Sequence, residues 1–124
     1  MESPFYSYLY IKTQCLDDNW ETLKIEKFLK LYQQSIALIN ESNGHFRSNA
    51  PFLSMQLMCV KSYDSWSSLD YHPSNTNFIA IITNKSISLE AQQLLYQLSL
   101  FLNADTIEEK DDGDAIFISA RSES

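Results

Sequence analysis

The stretch FIAIIT at residues 78–83 is apolar at five of its six positions, and it decides the fold that this sequence predicts. A run that is apolar on both faces is typical of a strand buried at the centre of a sheet. A second strand is predicted over 5–13, where apolar side chains recur with period two and so share one face. The opposite face of that strand carries Tyr6, Tyr8 and Tyr10, whose apolar rings and polar tips suit an interface.

Two more strands and two helices complete the predicted elements. Further strands are expected over 52–61, where apolar residues alternate with polar ones, and over 115–120. A long helix is expected over about 19–42, because apolar residues recur at helical spacing and Asn43-Gly44 supplies a left-handed end. Ser88 is expected to cap the second helix, whose inner stripe is rich in leucine.

The predicted order is strand–helix–strand–strand–helix–strand. This order favours an α+β fold, a ferredoxin-like sandwich with a four-stranded antiparallel sheet and two helices on one face. A less regular α+β fold is the alternative, because the first helix is long and the connection 62–77 exceeds a tight hairpin turn. The 124 residues are expected to form a single domain over 1–124.

The charge of the chain is strongly negative and unevenly distributed. The net charge is −7, and six of the 16 acidic residues lie between 105 and 114 with Lys110 among them. Such a balance argues against binding nucleic-acid phosphates or an anionic membrane surface, and it suits a basic protein partner. A solvated acidic turn is the alternative interpretation of the segment.

The predicted topology brings three connections to one end of the sheet, namely 15–19, 62–77 and 103–114. Acidic side chains beside the aromatic residues of the middle connection are typical of a protein-binding surface. Alternatively, the aromatic residues of 62–77 complete the core. The candidate partner-binding residues are Asp17, Asp18, Tyr63, Asp64, Trp66, Asp70, Tyr71, Glu108, Glu109, Asp111, Asp112 and Asp114.

No motif for catalysis, metal binding or cofactor binding accompanies these residues. Two glycines cannot build a phosphate-binding loop. With Gly113 at the sixth position of a calcium-binding loop, Lys110 falls at the third position, where an oxygen ligand is required. Ser119 then falls at the twelfth position, where a bidentate Glu is required. His45 and His72 lie in predicted loops without zinc-like spacing. We therefore predict a protein that is not an enzyme and that holds no metal and no cofactor.

Cysteine use and hydropathy predict a cytoplasmic location. Cys15 and Cys59 are expected to be free, inert thiols in buried strand-like surroundings. The amino-terminal residues lack the basic and apolar regions of a signal peptide, and no apolar stretch is long enough to span a bilayer.

In size, acidity, cytosolic character and lack of catalytic motifs, the chain resembles the immunity proteins that bacteria pair with nuclease toxins. The resemblance rests on this profile and not on a motif, so it carries over no residue. It implies an inhibitor that presents carboxylates and aromatic rings to the basic active-site cleft of a toxin. The alternative is a small-ligand-binding or regulatory domain of the same predicted fold, which forms a homodimer through the tyrosine row.

Overall fold

Two helices and nine strands make up the part of the chain that the computed structural model describes, residues 4–32 and 36–120. The strands are β1 (Tyr6–Lys12), β2 (Trp20–Glu21), β3 (Ile39–Ser42), β4 (His45–Asn49), β5 (Phe52–Met58), β6 (Asn75–Thr76), β7 (Phe78–Asn84), β8 (Thr106–Glu108) and β9 (Ala115–Ile118). The helices are α1 (Thr22–Leu31) and α2 (Leu89–Leu102).

Within the described residues, seven strands form one antiparallel sheet in the order β3-β4-β5-β7-β1-β8-β9. The remaining strands, β2 and β6, pair with each other in a separate two-stranded ribbon. The prediction of a four-stranded, ferredoxin-like sheet is therefore wrong. The β3–β4 hairpin extends the sheet at one edge, and at the other edge β8 lies between β1 and the predicted last strand, β9. Neither the hairpin nor β8 was expected from the sequence.

The strands predicted at the centre of the sheet are confirmed. The apolar strand β7 lies between β5 and β1, and it pairs with both along most of its length. The alternation predicted for the first strand is also observed, since Leu9 and Ile11 are buried while Tyr6 and Tyr8 are exposed. The predicted cap of α2 is present, because the Ser88 hydroxyl accepts a hydrogen bond from the Ala91 amide.

The predicted first helix is too long. The observed helix α1 begins at Thr22 and ends at Leu31, and residues 39–42 of the predicted helix form β3. Residues 33–35 lie outside the described ranges. The Asn43-Gly44 pair is a hairpin turn between β3 and β4, not a helix end. Asn-Gly marks both structures in sequences. In the sequence Ile39 continues the helical spacing of apolar residues. In the structure its side chain is 55% exposed on the edge strand β3.

The predicted connection 103–114 also contains a strand. Thr106–Glu108 forms β8, which pairs with β1 and places Ile107 opposite Tyr10. Three residues with an acidic neighbour give little strand signal, because β-propensity is mostly a matter of packing context. The acidic run is consequently split between a strand and the turn that joins β8 to β9.

Both helices pack on one face of the sheet. Alternate side chains of β1, β5 and β7 meet the inner stripes of α1 and α2 in one continuous cluster. The buried members of this core are Leu9, Ile11, Ile25, Leu29, Tyr32, Ile36, Phe46, Leu53, Met55, Leu57, Ile79, Ile81, Ala91, Leu94, Leu95, Leu98, Leu102 and Ile118. The other face of the sheet carries no α-helix among the described residues, and we call it the open face.

A second, smaller apolar cluster lies on the open face. Met58, Val60 and Phe78 are buried there, and Tyr10 and Tyr63 pack against them. The continuous apolar run of β7 is thus explained by burial of one face beneath the helices and of Phe78 beneath the middle connection. Neither helix in the described ranges is both long and apolar enough to cross a membrane.

Candidate functional site

The open face contains a cleft of about 440 Å³. Its floor follows from strand register, because Ala80 of β7 lies between Gln56 of β5 and Tyr10 of β1. Register partners point to the same side of a sheet, so the small Ala80 side chain leaves a depression between its larger neighbours. Tyr8, Tyr10, Trp66 and Phe78 line this depression with aromatic rings; we call it the aromatic cleft.

The middle connection supplies one wall of the aromatic cleft. Trp66 is 42% exposed, and the centre of its ring lies 5.5 Å from that of Phe78. Tyr63 packs on the same Phe78 ring at 5.9 Å, while its hydroxyl donates to the Thr13 carbonyl oxygen. These contacts hold the connection against the sheet. The interpretation in which these aromatic residues complete a core holds for Tyr63, while Trp66 also borders the cleft.

Three carboxylates lie around Tyr10 at the rim of the cleft. The Tyr10 hydroxyl donates a 2.8 Å hydrogen bond to Asp114. Glu109 lines the cleft, and its amide donates to the Tyr8 carbonyl oxygen. Burial raises the pKa of Tyr10 to about 12, with further contributions from Asp114, Glu109 and Asp64. We call Asp64, Glu109 and Asp114 the acidic rim.

The acidic rim carries uncompensated negative charge. Among the described residues, no ion pair neutralises Asp64, Glu109 or Asp114. Burial raises the pKa of the Glu109 carboxyl, and the charge of Asp114 raises it further. Two bases lie close by: Lys110 follows Glu109 in the chain and its amide donates to the Asp114 carboxylate, and the Lys12 ammonium lies 4.6 Å from the centre of the Tyr63 ring. The rim is therefore an unfavourable arrangement that a bound cation would relieve.

Replacing Glu109 by Gln should raise the midpoint of thermal unfolding at pH 7 by about 1–2 °C, since solvent screens this partly exposed group. A carboxyl whose pKa is raised by folding contributes stability below its unfolded pKa, and that stability is lost as pH rises through the folded pKa. Thermal unfolding followed at pH 7 and near pH 4 should therefore show the gain at pH 7 alone. Asp112→Asn removes the same charge from an exposed turn and should show a smaller gain; equal gains would contradict this account.

The structure separates the predicted partner-binding residues into two groups. Trp66 and Glu109 line the aromatic cleft, Asp64 and Asp114 lie close to its lining residue Tyr10, and Tyr63 packs on Phe78. The others point elsewhere. Asp18 lines a different cavity of about 690 Å³ together with Asp105. Asp17, Asp111 and Asp112 are exposed in connections, and Glu108 is the register partner of Leu9 on the helix side of the sheet.

Asp70 and Tyr71 have structural roles in the middle connection. The Asp70 carboxylate accepts from the Ser67 amide and so caps the 3₁₀ turn Ser68–Asp70. The Tyr71 hydroxyl donates to Glu26 of α1, and its ring lies directly against Gly44 in the β3–β4 turn. Neither side chain lines the aromatic cleft. Aromatic and acidic composition alone does not distinguish such contacts from a binding surface.

Sequence reasoning missed the polar residues at the other end of the cleft. His45 and Ser54 line it, and His45 Nε2 lies 2.9 Å from Ser54 Oγ. His45 was expected in a loop because Asn43-Gly44 is also typical of a helix end. If Asn43-Gly44 is interpreted as a hairpin turn, a strand is predicted to begin after Gly44. His45 would then lie in that strand, next to the strand over 52–61.

The remaining residues with possible chemistry lie apart from the cleft. Cys15 is exposed in the connection after β1, so the expectation of a buried strand thiol is wrong for that residue, and Cys59 is half-buried. His72 Nδ1 accepts from the amides of Ser74 and Asn75 in a local turn. In residues 4–32 and 36–120, no group of three or more His, Cys, Asp or Glu side chains is placed to hold a metal ion.

Comparison with protein-family models, with curated proteins and with solved structures found no match to this chain. The candidate site therefore rests on the geometry of the cleft and its rim.

Proposed function

We propose that this chain is an immunity-type inhibitor that acts by binding, and that its partner is a basic protein such as a nuclease toxin domain. The observation that carries the proposal is the joining of the aromatic cleft to the uncompensated acidic rim. A protein partner of this kind would place a lysine or arginine side chain in the cleft. The proposal includes a cytoplasmic location, where a toxin of bacterial competitors would act, and it excludes nucleic acid and membrane as partners on grounds of charge.

The chemistry of the cleft supports a cationic side chain as occupant. A guanidinium is planar and binds both aromatic faces and carboxylates, so Tyr10 and Trp66 could contact its plane while Glu109 accepts its hydrogen bonds. The Glu109 carboxylate already bears part of its desolvation cost before binding, as its raised pKa indicates. A cation would then gain attraction with less further desolvation of the rim.

The position of a basic peptide on the surface tests this proposal. We expect a short peptide of alternating arginine and glycine, titrated into ¹⁵N-labelled protein, to shift the amide signals of Tyr8, Tyr10 and Ala80 and the indole signal of Trp66. The signals of Asp17, Asp18 and Asp112 serve as an internal control, because those residues are equally acidic but lie outside the cleft. Shifts that follow all carboxylates alike would contradict a specific cleft site.

Inhibition requires a second measurement with a folded partner. A basic protein encoded next to this gene should lose its activity when mixed with an equimolar amount of this chain, and the loss should weaken with added salt. Inhibition that survives removal of the Trp66 ring and of the three rim charges together would place the inhibitory surface elsewhere.

A further inference from the structure

Three polar side chains converge at the hairpin end of the aromatic cleft. His45 of β4 has Nε2 at 2.9 Å from the Ser54 hydroxyl of β5. Its Nδ1 lies 3.4 Å from a carboxylate oxygen of Glu41 in β3. The order carboxylate–imidazole–hydroxyl is therefore built across three adjacent strands. Separations of this size are those expected for a nucleophile, its base and an orienting group in an unliganded site.

The charge on Glu41 fixes the direction of the hydrogen bonds. Its other carboxylate oxygen accepts a hydrogen bond from Nη2 of Arg47 in an ion pair. An ionised carboxylate can only accept, so the Nδ1 of a neutral His45 carries the proton and faces Glu41. The Nε2 atom is then the acceptor for the Ser54 hydroxyl. This is the tautomer in which a histidine withdraws a proton from a serine.

Arg47 provides a second and independent observation. It is the register partner of Ser54, so the two side chains start about 5 Å apart on the open face. Its Nε is a buried donor with no hydrogen-bond partner among the described residues. An unsatisfied buried donor is costly, and a bound oxygen that carries negative charge would offset that cost. The guanidinium thus supplies positive charge beside the hydroxyl.

We propose that Ser54 is a nucleophile, His45 its general base and Glu41 the positioning residue of a site that transfers an apolar acyl group from an ester to water. The aromatic cleft adjoins Ser54 and consists largely of apolar surface, which selects the apolar acyl class of substrate. This activity goes beyond the proposed inhibitory function, which needs binding alone.

The two half-reactions balance without a cofactor. As Ser54 Oγ bonds to the carbonyl carbon, its proton passes to His45 Nε2, and the positive charge of Arg47 favours the developing oxyanion. The bond to the alcohol oxygen then breaks and that oxygen takes the proton from His45. Water next attacks the acyl carbon, and its proton passes through His45 to Ser54 Oγ as the carboxylic acid leaves.

A fluorophosphonate probe tests the nucleophile directly, since it bonds to an activated serine oxygen and releases fluoride. We expect mass spectrometry to find the adduct on Ser54 and to find none there in Ser54→Ala. Hydrolysis of p-nitrophenyl butyrate should fall to the background rate in the same variant. Ser86→Ala removes an exposed hydroxyl between β7 and α2, and should be labelled and turn over like the unmodified protein.

The variant His45→Ala tests whether His45 acts as a general base or only stabilises the fold. General bases contribute about a hundredfold or more, so labelling should slow by that factor. Added imidazole should restore part of the rate in His45→Ala and none in Ser54→Ala, with thermal unfolding used to confirm that both variants are folded. Glu41→Gln should slow labelling less than His45→Ala does. In the double variant of Glu41→Gln and His45→Ala, added imidazole should still restore part of the labelling rate.

Absence of a Ser54 adduct in the unmodified protein would overturn the proposal, as would equal labelling of His45→Ala. Butyrate ester hydrolysis that persists in Ser54→Ala would also overturn it. Labelling is measured without a basic peptide, so its outcome is independent of the inhibitory function.

Discussion

Replacing Gly44 by Ala is expected to destabilise the folded protein by about 2–5 kcal/mol, a large fraction of the stability of an ordinary domain. Two causes combine. Gly44 has φ +72, which is unfavourable for a residue with a Cβ. That Cβ would also clash with Cδ1 of the Tyr71 ring, at a separation no normal contact shows. Chemical denaturation at constant pH measures the loss as a fall in the midpoint without a change of slope.

A double-mutant cycle with Tyr71→Ala distinguishes the two causes. In the Tyr71→Ala background the clash is absent, so Gly44→Ala should cost about 1–2 kcal/mol, the backbone contribution alone. An unchanged cost in both backgrounds would mean that Tyr71 does not lie against the turn. A cost below about 0.5 kcal/mol in the original background would contradict the left-handed conformation itself.

The β3–β4 turn also positions one end of the aromatic cleft. Asn43 and Gly44 connect β3 to β4, and the flanking residues Ser42 and His45 line the aromatic cleft. The Gly44 carbonyl oxygen also accepts from the Leu57 amide, and the Asn43 carbonyl oxygen accepts from the Gln56 side chain. A strained turn would therefore disturb the hairpin that carries His45 as well as lower the stability.

The sequence predicts the elements whose residues are buried by the sheet and the helices. Strand β7 is recognisable because Ile79 and Ile81 face the helices while Phe78 is covered on the other face. Strand β1 is recognisable because one of its faces is buried and the other bears tyrosines. In each case the hydrophobic pattern reflects the burial that stabilises the element, so the pattern and the structure have the same cause.

The edge strands could not be predicted in the same way. All four residues of β3 are exposed, so no alternation marks them. Strand β8 has three residues and pairs with β1 by main-chain hydrogen bonds, which depend little on side-chain identity. The four-stranded prediction was therefore wrong at both edges, where pairing is decided by the neighbouring strand and the turn chemistry.

The candidate site was predictable in composition but not in arrangement. Asp64, Glu109 and Asp114 all lie close enough to Tyr10 to raise its pKa, so parts of the connections 62–77 and 103–114 are near each other, whereas Asp18 of the connection 15–19 lines a different cavity. The meeting point differs, since it lies on the open face around Tyr10 and not at the end of the sheet. Ala80 explains the difference, because one small residue at the centre of the face creates the cleft.

The proposed function requires that the cleft, and not the total charge of the protein, binds a basic partner. Two triple variants remove equal charge from different places. Asp64→Asn, Glu109→Gln and Asp114→Asn neutralise the acidic rim. The matched control replaces three exposed carboxylates away from the cleft, Asp17→Asn, Asp18→Asn and Asp112→Asn. Both sets change the net charge by the same amount, so long-range attraction of a basic peptide falls equally in both.

We would titrate the arginine–glycine peptide by calorimetry into the unmodified protein, the rim variant and the control variant at two salt concentrations, which measures the contribution of the cleft to binding. Three carboxylates at about 0.5–1 kcal/mol each, of which Glu109 is partly desolvated, predict a ten- to hundredfold loss of affinity, by order of magnitude, in the rim variant. The control variant should lose about twofold, and that loss should disappear at the higher salt. Equal losses in both variants, or a larger loss in the control, would contradict a binding site in the aromatic cleft.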